Sequence, residues 1–148
     1  MADHVRRQLR DAVAAAVTGL ATSGARVYTE SARIMQDQHL PGLKIYTGDE
    51  AGEDETIHSP SVRARTVELV VECVAKAESG MDDTLDQMAL EVEQALASGV
   101  TVDGQPVALP YDGLESRSTG EPEQFTGSLA LRFNVSLRNL ADAPDVLI

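Results

Sequence analysis

The sequence predicts an α+β domain, with two helices packed on one face of a mostly antiparallel four- to five-stranded sheet. Three observations carry this. Two segments repeat apolar residues every three or four positions, the spacing of a helix with one apolar side. Longer runs alternate apolar and polar residues, the spacing of a half-buried strand. Asp103-Gly104 stands between Val-rich flanks, a strong two-residue hairpin signal. Hairpin-linked strands pair antiparallel, and helices that are apolar on one side need a sheet face to cover.

The elements follow in order. Residues 3–20 form the first helix, with Asp3 as its cap and Val5, Leu9, Val13, Ala16 and Leu20 as its stripe. Gly19 and Gly24 end it. Residues 26–30 and 42–47 are short strands, the second beginning after Pro41 and separated from the first by the polar connection "SARIMQDQHL". The acidic segment "TGDEAGEDET" (47–56) reads as a mobile loop, because Gly48 and Gly52 interrupt it; Pro60 breaks the chain again. Residues 62–77 alternate strictly. Val67, Leu69, Val71 and Cys73 face one way, and Glu68, Glu72 and Lys76 the other. Residues 81–97 are the second helix, with Leu85, Met88, Ala89, Val92 and Leu96 as its stripe. Asp82, Asp83 and Asp86 sit in its first turns, where the macrodipole favours anions. After Gly99 come the hairpin at 100–109, a strand at 111–119, a turn at 120–124 and a second alternating strand at 125–139. On that last strand Leu129, Leu131, Phe133, Val135 and Leu137 oppose Arg132, Arg138 and their polar neighbours. The domain is expected over residues 1–139, with 140–148 a tail that is either mobile or docked on a partner.

The 148 residues suit one domain that buries a core without a metal or disulfide. Aromatics are 3% with no Trp, so the core is built from Val, Leu, Ala and Ile. The net charge of −12 argues against a nucleic-acid binder that works by neutralising phosphates. Five acids at 48–58 and six at 78–93, with no Lys or Arg in either stretch, account for most of it. Cys73 is the one cysteine, so no intrachain disulfide is expected. No apolar run reaches the roughly 18 residues of a membrane span. "MADHVRRQLRD" has no apolar signal-peptide core, which predicts synthesis in the cytoplasm.

Catalytic motifs are absent: no GxSxG, HExxH, P-loop or GxGxxG. His4, His39 and His58 are not spaced with acids as a ligand set. Cys73 falls on the apolar face of its strand, where a thiol is inert. No enzyme activity, metal or cofactor is therefore expected. The acidic segment leaves three uses open: a solvated loop, a charge-based interface, or a metal site such as a small metal-dependent hydrolase using Asp49, Glu50, Glu53 and Asp54. Its lack of Ca²⁺-loop spacing and its glycines favour the first. The strands at 62–77 and 125–139 exceed the usual five or six residues. Their excess length suggests ends that pair with another chain.

Taken in order, these segments resemble the tail terminator proteins of long-tailed bacteriophages. A short first helix is followed by "LPGLKIYTG" (40–48), then the acidic Gly-containing stretch Asp49 to Glu55. A long alternating strand leads into Asp83, Leu85, Asp86 and Met88 of "DDTLDQM". Near the C-terminus "YDGLESRSTGEPEQFTGSLALRFNVSL" completes the likeness. The hairpin at 100–109 and the tail "NLADAPDVLI" depart from the pattern. The resemblance implies a structural virion protein, forming a hexameric ring on the head-proximal end of the tail tube. Such a ring ends tube polymerisation and offers a surface to a head or neck connector protein, while DNA passes through an acidic lumen without sticking. Another head–tail joining or tail-completion (neck) protein is the neighbouring alternative. On that expectation the interface residues are Asp49, Glu50, Glu53, Asp54 and Glu55, the basic outer face at Arg132 and Arg138, and Arg6, Arg7 and Arg10 facing acidic neighbours.

Overall fold

The computed structural model describes residues 3–30, 32–77, 79–121 and 124–148, the side chains of 119–125 excepted. Helix α1 spans Val5–Val17, strand β1 Val27–Tyr28, β2 Gly42–Asp54, β3 Val62–Ala77 and helix α2 Met81–Leu96. The short strands β4 (Val100–Val102) and β5 (Gln105–Val107) precede β6 (Tyr111–Glu121) and β7 (Gln124–Leu140). The main sheet has the order β1-β2-β3-β7-β6, and β4-β5 is a separate two-stranded hairpin. All neighbours in the main sheet are antiparallel except β1 and β2. This is the predicted α+β class, with five strands.

β3 and β7 form the spine. Every residue from Val62 to Ala77 pairs with one from Leu140 back to Phe125, without a break in register. Because side chains alternate, Val67, Leu69, Val71 and Cys73 meet Leu129, Leu131, Phe133 and Val135 on one face. The buried stripes of α1 (Val5, Leu9, Val13, Val17) and α2 (Leu85, Met88, Ala89, Val92, Leu96) join that face in a single core. On the opposite face, away from α1 and α2, Val70 and Val74 are only 3% and 7% exposed; the one-turn 3-10 helix Asp37–His39 lies against Gly42, the residue that pairs with Val74. Val70 forms part of a shallow pocket of about 110 Å³ that Tyr46, Glu68, Glu72 and Arg132 also line.

Local chemistry sets the ends of the elements. α1 starts at Val5 rather than Asp3. His4 is the extended residue before it, and its Nδ1 accepts the Arg6 N–H at 3.1 Å. Asp3 instead accepts from the Arg7 guanidinium. α1 stops at Thr18 and Gly19, where φ is +88°. Gly99 is required for a different reason: a Cβ there would lie 2.3 Å from the Val107 carbonyl oxygen. Asp103 and Gly104 both take positive φ, 49° and 73°, which matches the twist of a tight hairpin. Of the turn expected at 120–124, Pro122 and Glu123 lie outside the described residues, and Gly120, Glu121 and Gln124 belong to β6 and β7.

Two expectations are overturned. The acidic segment is not a loop. β2 continues through it, and Glu50 to Asp54 pair with Val67 to Arg63 of β3. The C-terminal tail is not free of the domain either. Pro144 O accepts the Val5 N–H, Asp145 O accepts from Gln8 Nε2, and Leu147 N donates to Asp103 Oδ2. Leu147 is 8% exposed and belongs to the core. The apolar end found a slot on its own chain because α1, the hairpin and β7 leave one there.

Leu131 is fully buried at the centre of the spine. Leu131→Ala is expected to cost about 2–5 kcal/mol, read as a lower urea midpoint with little change in slope.

Candidate functional site

The sequence-derived site residues divide by the face and end of the sheet on which they lie. A register shift falls between Thr47 and Glu50 of β2. Gly48 and Asp49 form this irregularity opposite Glu68, where a Cβ on Gly48 would approach the Glu68 carboxylate to 3.1 Å. Beyond it Glu50 pairs with inward-facing Val67 and lies towards the helices, while Ala51 and Glu53 pair with Thr66 and Ala64 of the outer set. The bulge therefore turns a carboxylate inward that an unbroken register would have placed on the other side.

Glu50 becomes the centre of a polar cluster. Its Oε2 accepts from Arg65 Nη1 at 2.8 Å, and its Oε1 lies 3.6 Å from Arg6 Nη1. Arg65 and Asn139 are both buried, and Arg65 Nε donates to Asn139 Oδ1 at 2.8 Å. Arg6 also donates to Thr47 Oγ1 and the Gly48 carbonyl, each at 3.0 Å. Arg10, one turn along α1, reaches the same Thr47 oxygen at 3.2 Å. Arg7 points elsewhere, to Asp3 just before α1 and Asp11 within it.

The other acids do not converge. Asp54 pairs with Arg63, and Glu55 with Arg138, across strands. Asp49 and Glu53 make no ion pair among the described residues, which also contain no cluster of three His, Cys, Asp or Glu side chains placed to hold a metal. The four acids of the hydrolase alternative thus lie on two faces, two of them occupied by arginines. Arg132 pairs with Glu115, which also holds Arg117. The Arg117 hydrogen bond and charge, with Arg132 behind them, keep the Glu115 carboxyl below its usual range. Composition missed that Glu50 is structural, because its partners at 6 and 65 are distant in sequence. One signal was present: a β3 of sixteen residues needs a neighbour longer than the six assigned to it at 42–47.

Two groups are tuned by burial. Burial, then the Glu72 carboxylate that accepts its hydroxyl at 3.2 Å, pushes Tyr46 up to about 12. Burial first, then Glu72, pushes the Cys73 thiol up to about 12, so it is no thiolate near neutral pH.

The sheet leaves two open edges among the described residues. β1 pairs with β2 only at Leu43 and Lys44, so β2 from Tyr46 to Asp54 has no outer strand. Beside Tyr46 and Thr47 lies a cleft of about 430 Å³ that Arg10, Thr29, Glu30 and Ala32 also line. β6 is open along its full outer side, with Tyr111 and Leu114 exposed. No helix among the described residues is long and apolar enough to cross a membrane.

Glu50→Ala is expected to destabilise by about 2–3 kcal/mol, because Arg65 loses its carboxylate partner. Glu53→Ala should stay within about 0.5 kcal/mol. Urea melts of both variants check this contrast. Tyr46 should ionise near pH 12 by ultraviolet absorbance, the step vanishing in Tyr46→Phe. Its proton is held more tightly in the folded chain than in the unfolded one, whose value is 10.0. Its contribution to stability is therefore complete below pH 10 and lost as pH rises towards 12.

No family model matches the chain, and no curated protein is significantly similar to it. Among solved structures, 28 chains match. One is a chain of the virion of the native gene transfer agent (GTA) particle, 19% identical, with 90% of this chain and 92% of that chain covered and a TM-score of 0.44.

Proposed function

We propose that this protein is a structural virion protein that caps a phage tail tube as a hexameric ring, ending tube polymerisation and presenting a surface to the head or neck. The observation that carries the ring is the pair of open sheet edges. β2 and β7 run one way, β3 and β6 the other. A second copy set beside the first by rotation about a ring axis brings its β2 alongside the first copy's β6 in the antiparallel sense. The alternation of directions then continues across the junction, and no edge remains once the ring closes. Tyr111 of β6 stands level with Thr47 through Phe133 and Leu69, and β6 runs from there towards the β2 start. The open stretch of β2 runs the opposite way. Pairing therefore staggers neighbours along the strands, as closing a tilted barrel requires. The count of six, the tube end and the neck partner come from the resemblance to tail terminators in segment order, which implies a position at the head-proximal end of the tail.

Light scattering with and without tail tubes tests the ring. Sixfold mass is expected, at least on tube ends, and a strict monomer at every concentration, tubes included, would sink it. Electron microscopy of particles assembled without the protein tests the role. Overlong tubes are expected; tails of normal length that fail to join heads would assign it to the neck instead.

A further inference from the structure

We infer that Arg6 and Arg10 of α1 clamp the bulge of β2 and so hold residues 50–54 as a preformed edge for the β6 strand of a second copy. This rests on the proposed ring. Residues 50–54, "EAGED", are poor strand formers: three acids, an alanine and a glycine. They have a ladder on one side only, to β3. Left to themselves they would fray, since three carboxylates within five residues repel and glycine favours the unfolded chain.

The structure supplies what composition lacks. The bulge interrupts the ladder between Thr47 and Glu50, and the Gly48 carbonyl at that break accepts from Arg6 at 3.0 Å. Thr47 Oγ1 accepts from Arg6 and Arg10 together, at 3.0 and 3.2 Å. Arg6 also stands beside the inward Glu50 carboxylate, which Arg65 fixes from the next strand. Arg6 and Arg10 are one helical turn apart and so reach over the same strand. α1 is anchored in the core by four fully buried side chains, so the clamp has a rigid base. A strand held in register before contact spares the complex the entropy of ordering it on docking. Arg6 and Arg10 are in this sense positioning residues: they act through β2, not on the incoming strand.

Hydrogen–deuterium exchange of residues 50–54 in Arg6→Gln/Arg10→Gln tests the clamp, with exchange of α2 and β7 reporting the global fold. Exchange at 50–54 is expected to rise about tenfold or more with α2 and β7 unchanged, and ring formation to need about tenfold more protein. Thr47→Val removes the shared acceptor and keeps both arginines and a β-branched strand residue. It decides the matter if the double variant loses its fold, and should raise exchange at 50–54 in the same direction. Unchanged exchange at 50–54 in Thr47→Val and in a folded double variant would overturn the clamp. Faster exchange with undiminished ring formation would instead overturn the use of this edge as a docking strand, leaving the clamp as a local support. Rings absent from the unmutated protein, with exchange responding as expected, would place the failure in the proposed ring.

Discussion

Everything in this fold hangs on parity. Sixteen consecutive β3–β7 pairs place one set of side chains towards both helices and the other set away from them. A slip of one residue would send Val67, Leu69, Val71 and Cys73 to the open face and bring Glu68 and Glu72 into the core. The neighbours inherit this parity: β2 through Leu43 and Ile45, β6 through Leu114. Parity is relaxed at two described places, the bulge at Gly48–Asp49 of β2 and the irregularity between Tyr111 and Gly113 of β6; at the first a polar cluster replaces apolar packing. The face away from α1 and α2 also departs from a simple wet surface, because Val70 and Val74 are buried on it and the 3-10 helix Asp37–His39 lies beside the Gly42–Val74 pair.

What was legible in the sequence was what repeats. The alternation at 62–77 located β3 to the residue, and the helical stripe at 81–97 matched α2 apart from its last residue. Asp103-Gly104 named its own turn. The acidic stretch was illegible because composition counts charges and the fold pairs them. Glu50, Asp54 and Glu55 each meet an arginine that is between 9 and 83 residues away in sequence, so no local window contains the reason they order. The C-terminal segment failed for a related reason. Leu147 needs a slot built by α1, the hairpin and β7, and that slot has no sequence pattern of its own.

The electrostatics change accordingly. The stretch that looked like the protein's negative pole is largely matched by Arg6, Arg63, Arg65 and Arg138. The unmatched acids concentrate on the outer side of α2, where Asp82, Asp83, Asp86 and Glu93 are exposed and make no ion pair among the described residues. Glu91 is held below its ordinary value there by its hydrogen bonds from Thr22 and Gln87, against the opposing effect of partial burial. The macrodipole accommodates the first of these acids. Part of the −12 charge thus lies on a helix back, and not only on the strand first suspected.

The β3–β7 spine also sets the tempo at which this chain can fold. Its nearest pair joins Ala77 to Phe125 and its farthest Val62 to Leu140, so none of it is local. Topologies dominated by such pairings fold in about milliseconds to seconds, because a large loop must close before any pair rewards it. On a ribosome adding roughly 5–20 residues per second, β3 waits several seconds for the strand that completes its second side. For that interval an apolar sixteen-residue strand has β2 on one flank and nothing on the other. Arg63, Arg65, Glu68, Glu72 and Lys76, spaced along it, are then its guard against the wrong partner: charges that keep a lone strand from stacking on its like until β7 arrives.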